Sequence, residues 1–266
     1  MDNIISLFSY SFMVNALIGG VLISVCAALL GVILVLKRYA MIGDGLSHVG
    51  FGATAIAAVM GISPLYLAIP VVILASLLLM KASSKSKIRA DAAIGLISTG
   101  ALAFGIIAVS AGGVNTDLNS YLFGSILSLS EEDMILCTVL CFVTIVLFVT
   151  MYNRIFSVTF DEDFAKATGI NTGIYNTVIA CLTSITVVLG MRMMGTLLIS
   201  ALIIFPAITA MRIFKTFKKV IIASVIIALI CFISGLVISF VFSFPTGATV
   251  VTVNIILFAL TYILRR

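Results

Sequence analysis

The feature that most limits what this chain can become is a succession of apolar runs, separated by short clusters of Lys and Arg. The runs reach about 17 to 25 residues, the length that crosses roughly 30 Å of hydrocarbon as helix. Only 9% of the residues are charged and 62% are hydrophobic, whereas a soluble domain carries about 25% charged residues. Too few charges remain to cover a water-facing surface, so the chain reads as an all-α polytopic membrane protein. A membrane barrel would instead alternate apolar and polar residues over strands of about ten residues, and that alternation is missing. Residues 1–266 are therefore expected to form a single transmembrane domain surrounded by lipid.

The runs place helices at about 12–36, 41–60, 65–80, 92–112, 134–152, 174–189, 195–211, 220–242 and 248–264. That is nine spans, or eight if the two segments flanking GMRMMG form one broken element. A more polar piece at 118–129 is too short to cross and is expected as a re-entrant or interfacial helix. With the N-terminus outside, alternating loops put all but Arg192 of the 15 Lys and Arg on the inner side. This charge bias sets the N-terminus outside and the C-terminus in the cytoplasm. The net charge of +5 thus serves orientation and does not point to nucleic acid. The start of the chain lacks a basic n-region, so no signal peptide is expected.

Within the second run stand a carboxylate, Asp44, and the only histidine, His48. On a helix, positions i and i+4 share one face. An ionisable pair inside lipid is costly and by default marks a pathway or a binding site. An oxygen and a nitrogen ligand side by side suit a divalent cation. The plainer reading is a core histidine that simply hydrogen-bonds Asp44. Two ligands do not complete a four-coordinate site; the rest would come from Cys, Met or other Asp, or from a second copy across a two-fold axis. Glycines 43, 45, 50 and 52 around the pair let another helix approach closely. Cys137 and Cys141 also stand at i, i+4, and read as small apolar positions on a lipid-side helix with soft-metal binding as the alternative.

The longest polar interval, 153–173, contains FDEDFAKATGI. Asp161, Glu162 and Asp163 suit the start of a helix, Phe164, Ala165, Ala167 and Ile170 recur at near-helical spacing, and Gly169 can stop it. A short amphipathic helix over 160–170 on the cytoplasmic face is expected, as a docking element for a soluble partner. The bland alternative is a connecting loop. No G-x-x-x-x-G-K-[ST] occurs, so the chain is not expected to hydrolyse ATP, and the dearth of His, Asp and Glu beyond one pair argues against an enzyme.

RYAMIGDGLSHVGFG, followed by GISP, resembles the second-helix motif of the zinc/manganese/iron ABC transporter permeases. YLFGSILSLSEED, FDEDFAKATGI and GTLLISALIIFPAITAMR resemble three further blocks of that family in the same order. The resemblance implies a type II ABC importer permease in the bacterial cytoplasmic membrane, working as a homodimer with cytoplasmic ABC ATPase subunits and an extracytoplasmic metal-binding protein. It implies that Asp44 and His48 are the metal ligands of the pathway. It also implies that Phe160, Asp161, Glu162, Asp163, Phe164, Ala165 and Gly169 belong to the ATPase-coupling helix. The cargo would be a divalent metal ion, with no permanently bound cofactor. The SEED and FDED stretches are most similar to the zinc-uptake branch of Gram-positive bacteria, so zinc is favoured, with manganese or iron next. The alternative is a proton-coupled secondary metal carrier in which Asp44 and His48 relay protons.

Overall fold

A computed structural model describes residues 11–85, 90–113 and 131–264. Every regular element among them is a helix: α1 (Ser11–Leu36), α2 (Ile42–Val59), α3 (Pro64–Lys85), α4 (Ala90–Gly112), α5 (Glu131–Thr150), α6 (Tyr152–Phe160), α7 (Glu162–Ala167), α8 (Thr172–Met194), α9 (Thr196–Ile213), α10 (Phe217–Phe242) and α11 (Thr246–Leu264). Seven of these (α1, α3, α4, α8, α9, α10 and α11) are long and apolar enough to cross a bilayer; α5 and α6, bent by 72° at their junction, make an eighth if taken as one span. α2 is not among them, because Asp44, His48 and four glycines dilute its apolar residues. Its 18 residues still extend about 27 Å at 1.5 Å per residue. The piece expected at 118–129 lies outside the described residues.

α1 is the axis of the bundle. Its sequence is apolar on every side, the pattern of a helix buried all round. Of its span, 72% is buried, against 17% for α4, which is left to face lipid. Ile23, Cys26, Ala27, Ala28, Val32 and Ile33 are wholly buried against α5, α8, α9 and α10. α2 lies between α3 and α4 and also touches α8 and α9, while α11 packs on α9 and α10. Lipid supplies no hydrophobic drive between helices, so close approach of small residues does the work. At the α2–α4 crossing a Cβ on Gly105 would stand 2.7 Å from the Cα of Gly52, and one on Gly52 would overlap the carbonyl of Ala101.

Three connections differ from the sequence reading. The loop expected at 190–195 is helical through Met194, and Gly195 alone, at φ 87 and ψ 160, separates α8 from α9. Nothing in MRMM opposes a helix, and Met191, Met193 and Met194 are buried. α3 runs on to Lys85, so the basic loop begins as a helical turn. The polar interval begins not as a loop but as α6, which buries Ile155 and Val158. Phe156 of α6 packs at a tilt against Phe160 and against Phe217 at the start of α10, with ring centroids 4.8 and 5.1 Å apart.

Candidate functional site

The turn between α1 and α2 places Asp44. The N–H of Arg38 donates to the carbonyl of Val35 (3.1 Å) and that of Tyr39 to Leu34 (2.7 Å), the double closure that ends a helix through a left-handed residue. Arg38 takes that conformation, at φ 63, where a side chain costs about 1–2 kcal/mol. The N–H of Ile42 then donates to the carbonyl of Tyr39 (3.0 Å) and α2 begins. Asp44 therefore falls in the first turn of α2, where the positive end of the helix favours a carboxylate.

The structure brings Asp44 and His48 together on one open face. Nε2 of His48 lies 3.7 Å from Oδ2 of Asp44, with the side chains 27% and 44% exposed respectively. That separation is too long for a hydrogen bond, so the two do not satisfy each other. Nδ1 of His48 is buried and, among the described residues, has no hydrogen-bond partner. A tetrahedral cation about 2.0–2.1 Å from each ligand would set them roughly 3.3 Å apart, a small closure from the observed spacing. The hydroxyl of Ser200 on α9 lies 3.4 Å from Oδ1 of Asp44 and 2.9 Å from the carbonyl of Thr196, two acceptors for its single proton. Among the described residues no group of three or more His, Cys, Asp or Glu could hold a metal. Cys137 and Cys141 face inward, not to lipid: both are buried, Cys137 with its sulfur 3.4 Å from that of Met193.

The second expected site divides at Asp161. Phe160 ends α6, and α7 is only the six residues Glu162–Ala167, shorter than the helix expected over 160–170. Asp161 caps α7: the N–H of Phe164 donates to its Oδ1 at 2.9 Å, the arrangement that satisfies a free helix-end donor. Gly169, at φ 83, closes the other end, with the N–H of Ile170 donating to Ala165 and that of Gly169 to Lys166, both at 3.0 Å. Ala165 is wholly buried and anchors α7, while Phe160 and Phe164 stand 57% and 64% exposed. Asp163 points into solvent, and Lys166 pairs with Glu162 at 3.2 Å. Burial pushes the Glu162 carboxyl up, but hydrogen bonds from Lys166 and Asn176 and the charges of Lys37 and Lys166 outweigh it and hold it below the usual range.

Two participants escaped the sequence reading. Ser200 is a single hydroxyl in an apolar run and carries no periodic signal. Lys37 stands in the sequence as one more charge at the end of an apolar run. Its side chain is only 9% exposed, lies 3.9 Å from Glu162, and donates to Oδ1 of Asn176 on α8 at 2.6 Å. A cavity of about 600 Å³ opens beside it, lined also by Tyr39, Met80, Lys81 and Thr177.

A family model described as the ABC 3 transport family matches residues 9–265. The chain belongs to the ABC 3 transport family. The manganese import system permease protein ScaB of Streptococcus gordonii is 29% identical, over 96% of this chain and 92% of that protein. The high-affinity zinc uptake system membrane protein ZnuB of Haemophilus influenzae is 26% identical, over 97% of this chain and 99% of that protein. A solved structure described as PsaBC from Streptococcus pneumoniae in complex with Fab superposes with a TM-score of 0.87 at 28% identity, covering 98% of this chain and 94% of that one. As an ABC 3 permease the chain is a multi-pass protein of the cytoplasmic membrane.

Proposed function

We propose that this chain is the membrane-spanning permease of an ATP-driven importer for divalent metal ions, zinc favoured and manganese next. Manganese stays in view because ScaB, at 29% identity, is named for it, while ZnuB is named for zinc. Asp and His suit both ions, and cellular choice follows geometry and availability.

The observation that carries the reading is the open Asp44–His48 face, where oxygen and nitrogen stand 3.7 Å apart and the other ring nitrogen is unpaired among the described residues. In this reading two copies meet across a two-fold axis, and the doubled pair makes an O2N2 set for the ion. An extracytoplasmic binding protein delivers the ion. A cytoplasmic ATPase receives Phe160, Phe164 and the rest of the α6–α7 corner, and its movement rocks the helices and opens the inner side. α2 is then the ninth span, tolerable in the membrane because α3, α4, α8 and α9 shield it. The N-terminus is outside and the C-terminus cytoplasmic, as the distribution of Lys and Arg favours.

The test replaces Asp44 or His48 by Ala in cells that carry the whole transporter, and follows uptake of labelled zinc and manganese. Uptake reduced to background supports the pathway; uptake equal to wild type removes the pair from it. Transport by the purified chain alone in vesicles with a pH gradient would instead support a proton-coupled carrier.

A further inference from the structure

We infer that Lys37 is the positioning residue through which movement of α7 reaches the metal-bearing helix α2, an inference that rests on the importer reading. Three elements meet at its ammonium group. Glu162 of α7 lies 3.9 Å away, Asn176 of α8 accepts its hydrogen bond at 2.6 Å, and Lys37 itself begins the turn into α2. Lys37 is separated from Asp44 by that tight turn and the first residues of α2. The turn is held by backbone bonds from Lys37, Arg38, Tyr39 and Ile42, so a pull on Lys37 displaces the start of α2 instead of being absorbed by slack chain.

The burial of Lys37 makes the contact directional. A side chain only 9% exposed is an expensive place for a charge without a partner. Burial lowers Lys37 below the usual amine range, and the Glu162 charge opposes that shift. Glu162, by contrast, is 40% exposed and has a second partner in Lys166 at 3.2 Å. If α7 moves away, Glu162 keeps an ion pair with Lys166 while, among the described residues, Lys37 keeps only the neutral Asn176. The linkage therefore has two arrangements of unequal energy, and α7 selects between them through α1 and α2. The cavity of about 600 Å³ between Lys37, Lys81 and Glu162 leaves room for that rearrangement.

The experiment uses the complete transporter, with its ATPase and binding protein, reconstituted in vesicles. The readout is zinc taken up per ATP hydrolysed, or manganese if the wild type carries only that ion. Lys37→Gln is expected to assemble with the ATPase and to lower this ratio about tenfold, within the usual range of coupling between sites. Lys37→Arg keeps most of it. Glu162→Gln added to Lys37→Gln lowers it no further, because both changes break one contact. An unchanged ratio with Lys37→Gln, or losses that multiply in the double variant, overturns the inference; so does a smaller amount of complex with the ratio intact, which marks a merely structural lysine. Should Lys37→Gln yield no complex, Glu162→Gln and Asn176→Ala read the same ratio. A loss in either supports the linkage, and no loss in both overturns it. A wild-type complex that carries neither ion with ATP defeats the importer reading itself, whereas a coupled wild type with equally coupled variants defeats only the role of Lys37.

Discussion

The hydroxyl of Ser200 on α9 stands 3.4 Å from Oδ1 of Asp44 on α2, 156 positions apart in sequence. On the importer reading Asp44 ligates the ion; a partner that orients a ligating carboxylate commonly costs 10- to 100-fold when removed. Ser200→Ala is expected to lower metal uptake about tenfold with normal amounts of protein in the membrane, measured as initial uptake rate against metal concentration. An unaltered concentration dependence would leave Ser200 a bystander.

Phe164 projects from α7 with 64% of its surface exposed. A substitution at such a position changes stability by about 0.5 kcal/mol or less. Phe164→Ala should therefore leave thermal unfolding of the purified permease in place and abolish co-purification with the ATPase. Retention of the ATPase at wild-type stoichiometry would show that α7 is not the docking point.

Asp161 accepts the N–H of Phe164 at 2.9 Å. Losing such a cap costs about 1 kcal/mol. Asp161→Ala should speed hydrogen exchange at Phe164 roughly fivefold by that energy, while Asp161→Asn preserves most of the protection.

Gly52 meets the backbone of Ala101, while Gly100 of the same α4 has open space where a Cβ would stand. Gly52→Ala is expected to cost about 1–3 kcal/mol through forced separation of α2 and α4. Gly100→Ala should be neutral or stabilising by about 1 kcal/mol. Thermal unfolding in detergent compares the two, and equal midpoints would contradict the close crossing.

The acidity of Glu162 gives a pH dependence with a definite sign. Its folded value lies below its ordinary one, so its contribution is complete above the ordinary carboxylate range, near about 4.3, and is lost as pH falls through the depressed value. Lys166, raised by its hydrogen bond to and the charge of Glu162, stays charged throughout that fall. Hydrogen exchange across α7 should therefore accelerate below about pH 4 in wild type and show no such step in Glu162→Gln.

The helices themselves were legible because their apolar runs match a bilayer, and α2 (Ile42–Val59) differs by one residue at each end from the run read at 41–60. Asp44 and His48 could be placed on one face from their spacing alone. What could not be read was any relation between distant runs. Ser200 approaches Asp44, and Lys37 approaches Asn176, only because α1, α2, α8 and α9 pack together, and a single hydroxyl or lysine leaves no periodic trace. The extension of α8 to Met194 was missed because a short polar-looking interval suggested a loop, whereas the three methionines fill space against α1 and α2. α6 was missed because its polar residues interrupt the apolar pattern, although Ile155 and Val158 mark one buried edge.

On the importer reading, the 72° bend between α5 and α6 decides how a load from the ATPase would be shared. A straight continuation would carry a push along its own length, end-on into the bundle. A crank of this shape turns the same push into torque, with Phe217 against Phe156 and Phe160 as the bearing. On the importer reading, α10 would receive a twist where α2 would receive a pull.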